Sequence, residues 1–161
     1  MIRILNNEKM EKLLRNKLFH VIVWGAILGL NTWTDNLGNL IRFQSIGFRW
    51  ISSPNYWSFF YLADITRIHH DFVIVKIGHF IGFALFDFLI FNWKQSHKRA
   101  FAVSFTFALT TEILQLFFGR DGRLYDVTID SLGAISVYFL LKYNLLNKLK
   151  DIAYSTFTKE G

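Results

Sequence analysis

Apolar and polar positions along the chain separate into four long apolar runs with polar stretches between them. The runs are Leu18–Trp33, Phe72–Trp93, Ala100–Phe118 and Leu124–Tyr143. A helix needs about 20 mostly apolar residues to cross a bilayer. The first run is short by that measure, and Lys12–Leu14 would extend it by snorkelling. The pattern predicts an all-α integral membrane four-helix bundle, one domain over residues 1–161, with spans at about 18–33, 72–93, 100–118 and 124–143. Residues 1–16 are polar and basic and are predicted to form a short amphipathic helix on the membrane surface. Residues 34–71 are too polar to span and too aromatic for an ordinary loop. Trp50 and Trp57 favour the headgroup region, so one or two interfacial helices are expected there, with a re-entrant dip around Pro54. A small soluble hydrophobic core is the alternative for this segment.

Composition supports the membrane assignment. Phe occurs 18 times against one proline, and 52% of residues are hydrophobic. The net charge of +6 would suit nucleic acid if the basic residues formed a patch. They instead flank the apolar runs, which is the pattern of membrane topology, and no nucleic-acid partner is expected. The N-terminus, the Asn92–Arg99 loop and the tail from Lys142 hold 12 Lys or Arg residues, against 5 in the two opposite connections. The positive-inside rule then predicts a multi-pass cell-membrane protein with both termini cytoplasmic. The first run has no small-residue cleavage site after it and is read as an uncleaved span. With no cysteine, disulfides and thiolate chemistry are excluded.

Against this apolar background, Thr111–Asp130 carries Glu112, Gln115, Arg120, Asp121, Arg123, Asp126 and Asp130. A charge at the centre of a membrane helix costs about 2.5–3.5 kcal/mol on insertion scales, so these groups should face protein or water. At a rise of about 1.5 Å per residue, His79 lies roughly 12 Å inside its span, Glu112 roughly 9 Å, and Asp126 and Asp130 roughly 4–10 Å. Three spans therefore place ionisable groups at one level. Lys76 and His79 share a helix face at i, i+3, as do Glu112 and Gln115, and Asp126 and Asp130 share one at i, i+4. The expectation is an outward-opening polar pocket of Lys76, His79, Glu112, Gln115, Asp126 and Asp130, with Arg120 and Arg123 at its mouth. The plainer reading is a buried network that fixes helix register, with Lys76 paired to Asp126 or Asp130 and Arg120 to Glu112. Asp87 shares the Lys76 face but lies too deep for the cluster. His20 and the His69–His70 pair are read as interfacial. Gly25 and Gly29, and Gly78 and Gly82, have the small-xxx-small spacing of close helix contacts and would serve a helix–helix partner.

The run Lys76-Ile-Gly-His79-Phe80-Ile-Gly-Phe83, with Glu112-x-x-Gln115 followed by Arg120, Asp126, Asp130 and Gly133, resembles the VanZ-like family of small bacterial membrane proteins. The resemblance covers about the C-terminal half. Phe83 stands where the family pattern has Tyr, and Asp130 where it usually has Asn, which would make this pocket better at binding a cation. The resemblance implies a cell-envelope role and a link to teicoplanin tolerance.

Three functions fit these readings. The first is a non-enzymatic protein binding a membrane lipid or a lipid-linked cell-wall precursor, with Arg120 and Arg123 holding a phosphate. The second is an intramembrane enzyme acting on a lipid headgroup or isoprenoid phosphate, with His79, Glu112 and an Asp as acid and base or as metal ligands. The third is a docking subunit of an envelope complex. No Asp-x-x-Asp-Asp or His-Glu-x-x-His motif is present. No residue is assigned a catalytic role, and no metal or cofactor is expected.

Overall fold

The computed structural model describes residues 2–34, 47–66 and 70–143. Four α-helices follow in order: α1 (Ile2–Trp33), α2 (His70–Lys94), α3 (His97–Phe117) and α4 (Leu124–Lys142). There is no strand among the described residues. All four helices are long and apolar enough to cross a membrane, over Glu8–Trp33, Phe72–Lys94, His97–Phe117 and Leu124–Lys142.

The N-terminal helix departs from expectation. The sequence predicts a separate surface helix over residues 1–16, whereas α1 runs unbroken from Ile2. No glycine or proline interrupts the chain before Gly25, so nothing ends the first turns before the span begins. At about 1.5 Å per residue, 32 residues extend about 48 Å, well beyond a hydrocarbon core of about 30 Å. The polar N-terminal turns therefore project past the bundle. Lys17 Nζ donates to the Asn92 carbonyl at 3.1 Å and marks where α1 meets the end of α2.

The short turn between α2 and α3 needs a left-handed residue, and Gln95 takes it at φ 52°. Its Nε2 donates to the Asn92 carbonyl at 2.7 Å, closing the end of α2. At the other end of the bundle, Gly119 reverses the chain after α3 at φ +70°. The Arg120 N–H then returns to the Gln115 carbonyl at 2.8 Å.

The most extensive helix contact joins α2 to α4. It depends on Gly133, where an added Cβ would collide with the backbone carbonyl of Phe80. Helix α1 packs on α2 through small residues. An added Cβ on Gly25 would meet Phe86, and one on Gly82 would meet Leu28, while Gly78 faces open space. Trp24 Nε1 donates to the Gly82 carbonyl at 2.9 Å across the same contact. Phe83, Phe86 and Phe107 form an aromatic layer in the bundle, with Phe86 and Phe107 centroids 4.9 Å apart. Asp87, unassigned from the sequence, is buried near this layer and accepts a 3.1 Å hydrogen bond from Ser104.

The aromatic connection between α1 and α2 contains two short 3-10 helices, Tyr56–Phe60 and Ala63–Thr66. It folds onto the end of α3. The Ile51 N–H donates to the Phe117 carbonyl at 2.7 Å, and Trp50 stacks on Phe117 at 5.3 Å. Trp57 is 83% exposed. His69 and part of this connection lie outside the described residues, whereas His20 Nδ1 sits 2.6 Å from the Asn16 carbonyl within its own helix.

Candidate functional site

The ionisable residues meet at the Gly119 end of the bundle. Helix α2 presents Lys76 and His79, one turn apart. Helix α3 presents Glu112 and Gln115, and α4 opens with Asp126 and Asp130. Asp126 lies in the first turn of α4, where the helix dipole favours a negative charge.

Lys76 bridges α2 to α4. Its Nζ donates to Asp126 Oδ2 at 2.7 Å and lies 2.6 Å from Oδ1, an ion pair in which Oδ2 alone accepts the hydrogen bond. The ammonium also lies over the rings of Phe72 and Tyr125, 4.8 and 5.0 Å from their centroids. Of the two partners expected from sequence, the bonded one is Asp126. Asp130, fully buried, pairs with His79, whose Nδ1 lies 3.2 Å from Oδ1.

Glu112 is held from two sides. Gln115 Nε2 donates to Oε1 at 2.7 Å, and the backbone N–H of Arg123 donates to Oε2 at 3.0 Å. The second bond requires the chain after Gly119 to pass directly over α3. Gly122 allows that approach, because a Cβ there would collide with the Glu112 carbonyl.

The two arginines separate in role. Arg120 lies beside the chamber described next, and its Nη1 donates to the Thr34 carbonyl at 2.7 Å, tying the turn to the end of α1. This bond takes the place of the Arg120–Glu112 pair expected from sequence. Arg123 points away. Its guanidinium donates to the Ser58 carbonyl at 3.1 Å and to Asp121 at 3.0 Å, and lies over Tyr61. Arg123 thus fastens the aromatic connection to the turn. The sequence offered no signal for this contact, which joins positions 65 residues apart.

A polar chamber of about 460 Å³ opens at this level, with Lys76, His79, Gln115, Arg120 and Asp126 in its wall. Its volume lies within the range of small-molecule sites. Two further hollows adjoin it. One, of about 400 Å³, is an apolar groove between α2 and α4 that shares Phe72 and Lys76 with the chamber. The other, of about 390 Å³, lies between α1 and α2 and shares Val75, His79 and Arg120. Glu112 and Asp130 are not in the chamber wall; they lie buried behind His79, which is. Five of the eight residues singled out from sequence therefore line one space, two lie behind it, and Arg123 holds the loop.

The family model described as VanZ/LLP1 matches residues 17–147 of the chain. The chain is also similar to the uncharacterized membrane protein YwnJ of Bacillus subtilis (strain 168). The two are 33% identical over 135 residues, which cover 83% of this chain and 94% of the relative. No solved structure matches.

Proposed function

This chain belongs to the VanZ/LLP1 family, and from the site it carries we propose that it binds an amphiphilic membrane lipid or lipid-linked envelope precursor. The polar headgroup occupies the chamber and the hydrocarbon lies in the adjoining hollows. The observation that carries this reading is the continuity of polar and apolar space. Phe72 and Lys76 belong both to the chamber and to the groove lined by Ile77, Phe80 and Ile129. A molecule that is polar at one end and apolar at the other would fit that change of lining without burying an unpaired polar group. Arg120 supplies the cationic donor for a phosphate, a role suited to the guanidinium fork. Arg123, committed to Ser58 and Asp121, is not assigned one.

The reading places the Gly119 end of the bundle on the outer side of the membrane, following the distribution of Lys and Arg. It also extends to teicoplanin tolerance, because this glycopeptide acts on outward-facing, lipid-linked wall precursor.

Native mass spectrometry of the chain released from mild detergent tests the proposal. Wild type should retain a lipid mass. Ile129→Trp, which fills the groove, and Arg120→Ala, which removes the donor, should each lose it. Retention of the same lipid in both variants would refute the binding mode.

A further inference from the structure

Behind the chamber, His79, Glu112 and Asp130 bring one donor atom each from α2, α3 and α4 to within 4.8 Å of one another. Glu112 and Asp130 are completely buried. Asp130 uses Oδ1 to meet His79, while its buried Oδ2 has no hydrogen-bond partner. A buried carboxylate oxygen left without a partner is uncommon and calls for an ion or a water. The Lys76 ammonium, the nearby cation on α2, is already gripped by Asp126.

We propose that His79, Glu112 and Asp130 form a binding site for a divalent transition-metal cation of the zinc or manganese class. The donor set is one imidazole and two carboxylates, which suits those ions. Zinc ligands stand about 2.0–2.2 Å from the ion, so tetrahedral donors lie about 3.4 Å apart. His79 Nδ1 and Asp130 Oδ1 are already 3.2 Å apart, and rotation of these two side chains carries them toward the fixed Glu112 carboxylate and turns Asp130 Oδ2 to the ion. An ion seated there takes the place of the direct His79–Asp130 contact.

The surroundings are those of a ligand set held by outer partners. Gln115 and the Arg123 N–H fix the Glu112 carboxylate through both oxygens. Each oxygen keeps a second lone pair for an ion. Such outer hydrogen bonds orient metal-binding carboxylates. His79 also borders the chamber and the hollow between α1 and α2, so the ion retains an open side facing space that a ligand can reach. The site rests on these side chains alone and stands whether or not the chamber holds a lipid.

The test uses the full chain in mild detergent and the metal alone. The protein is stripped with chelator, dialysed against Zn²⁺ or Mn²⁺, and its metal content is measured by elemental mass spectrometry. Wild type should hold one ion per chain. Glu112→Gln and Asp130→Asn should each weaken binding by at least about ten-fold. Asp87→Asn, outside the site, should bind as wild type does. Absorption spectroscopy at the metal edge on wild type needs no variant, and should show a nitrogen and oxygen shell containing one imidazole. An empty wild type, an ion held equally by both site variants, or a shell without imidazole would each overturn the site.

Discussion

Replacing Lys76 by Met keeps most of the side-chain volume and removes the ammonium from Asp126. The side chains are 18% and 4% exposed, so the carboxylate left behind is the buried partner. Two scales bracket the effect. Breaking a buried ion pair in a soluble protein by removing one partner costs about 3–5 kcal/mol. Interhelical polar contacts in a membrane protein average about 0.6 kcal/mol, with a maximum near 1.7, because unfolded helices in lipid find other partners. The Lys76 contact is charged, close to both carboxylate oxygens, and open to a polar chamber. It belongs between the two scales, at about 2 kcal/mol. Loss of the two cation–π contacts adds on the order of 0.5–1 kcal/mol each at most. The assay is unfolding in mixed micelles by titration with a denaturing detergent, followed by circular dichroism. Asp126→Asn in the Lys76→Met background removes the stranded charge and should restore at least about 1 kcal/mol. If the double variant loses the full sum of the two single losses, the ion pair is not what joins α2 to α4 here.

Gly133→Ala should destabilise the bundle by about 1–3 kcal/mol, since the new methyl meets the Phe80 backbone and no side chain can yield; the melting temperature in detergent reads this out. Gly78→Ala meets open space and should stabilise α2 by about 0.5–1 kcal/mol, as alanine does within a helix. A drop in melting temperature would contradict that. Arg123→Ala releases the Ser58 carbonyl and should speed proteolytic cleavage between residues 47 and 66, while helical content stays at the wild-type value.

The spans were legible because hydropathy alone marks them: residues 72–93 and 124–143 predicted from sequence differ by one residue from Phe72–Lys94 and Leu124–Lys142. The level of the cluster was legible for a related reason, since helical rise converts sequence position into depth. Pairing within it was only half legible. Glu112 with Gln115 follows from i, i+3 spacing on one helix, but spacing does not choose between Asp126 and Asp130 for Lys76. That choice depends on how α2 crosses α4 at Gly133. The aromatic connection was not legible as structure, because 3-10 helices this short show no periodicity and its anchors, Phe117 and Arg123, are distant in sequence. The glycine spacing was equally silent about direction. Gly25 and Gly82 touch neighbouring helices of this chain, whereas Gly78 borders a hollow.

The Lys76–Asp126 and His79–Asp130 pairs also set an order for biogenesis. Synthesis runs from the N-terminus, so α2 enters the bilayer before α4 exists, carrying a lysine and a histidine without their acids. Helix α4 then has to bring two aspartates into the membrane, a cost that reaches about 2.5–3.5 kcal/mol at a helix centre and is smaller for Asp126 in the first turn. The tight turn at Gly119–Arg123 holds α4 against α3, a geometry suited to insertion of the two as a hairpin. An already inserted α2 offers that hairpin its counter-charges on arrival. A ribosome-bound chain ending before α4 should therefore hold α2 loosely, in contact with the insertion machinery, until the two aspartates emerge.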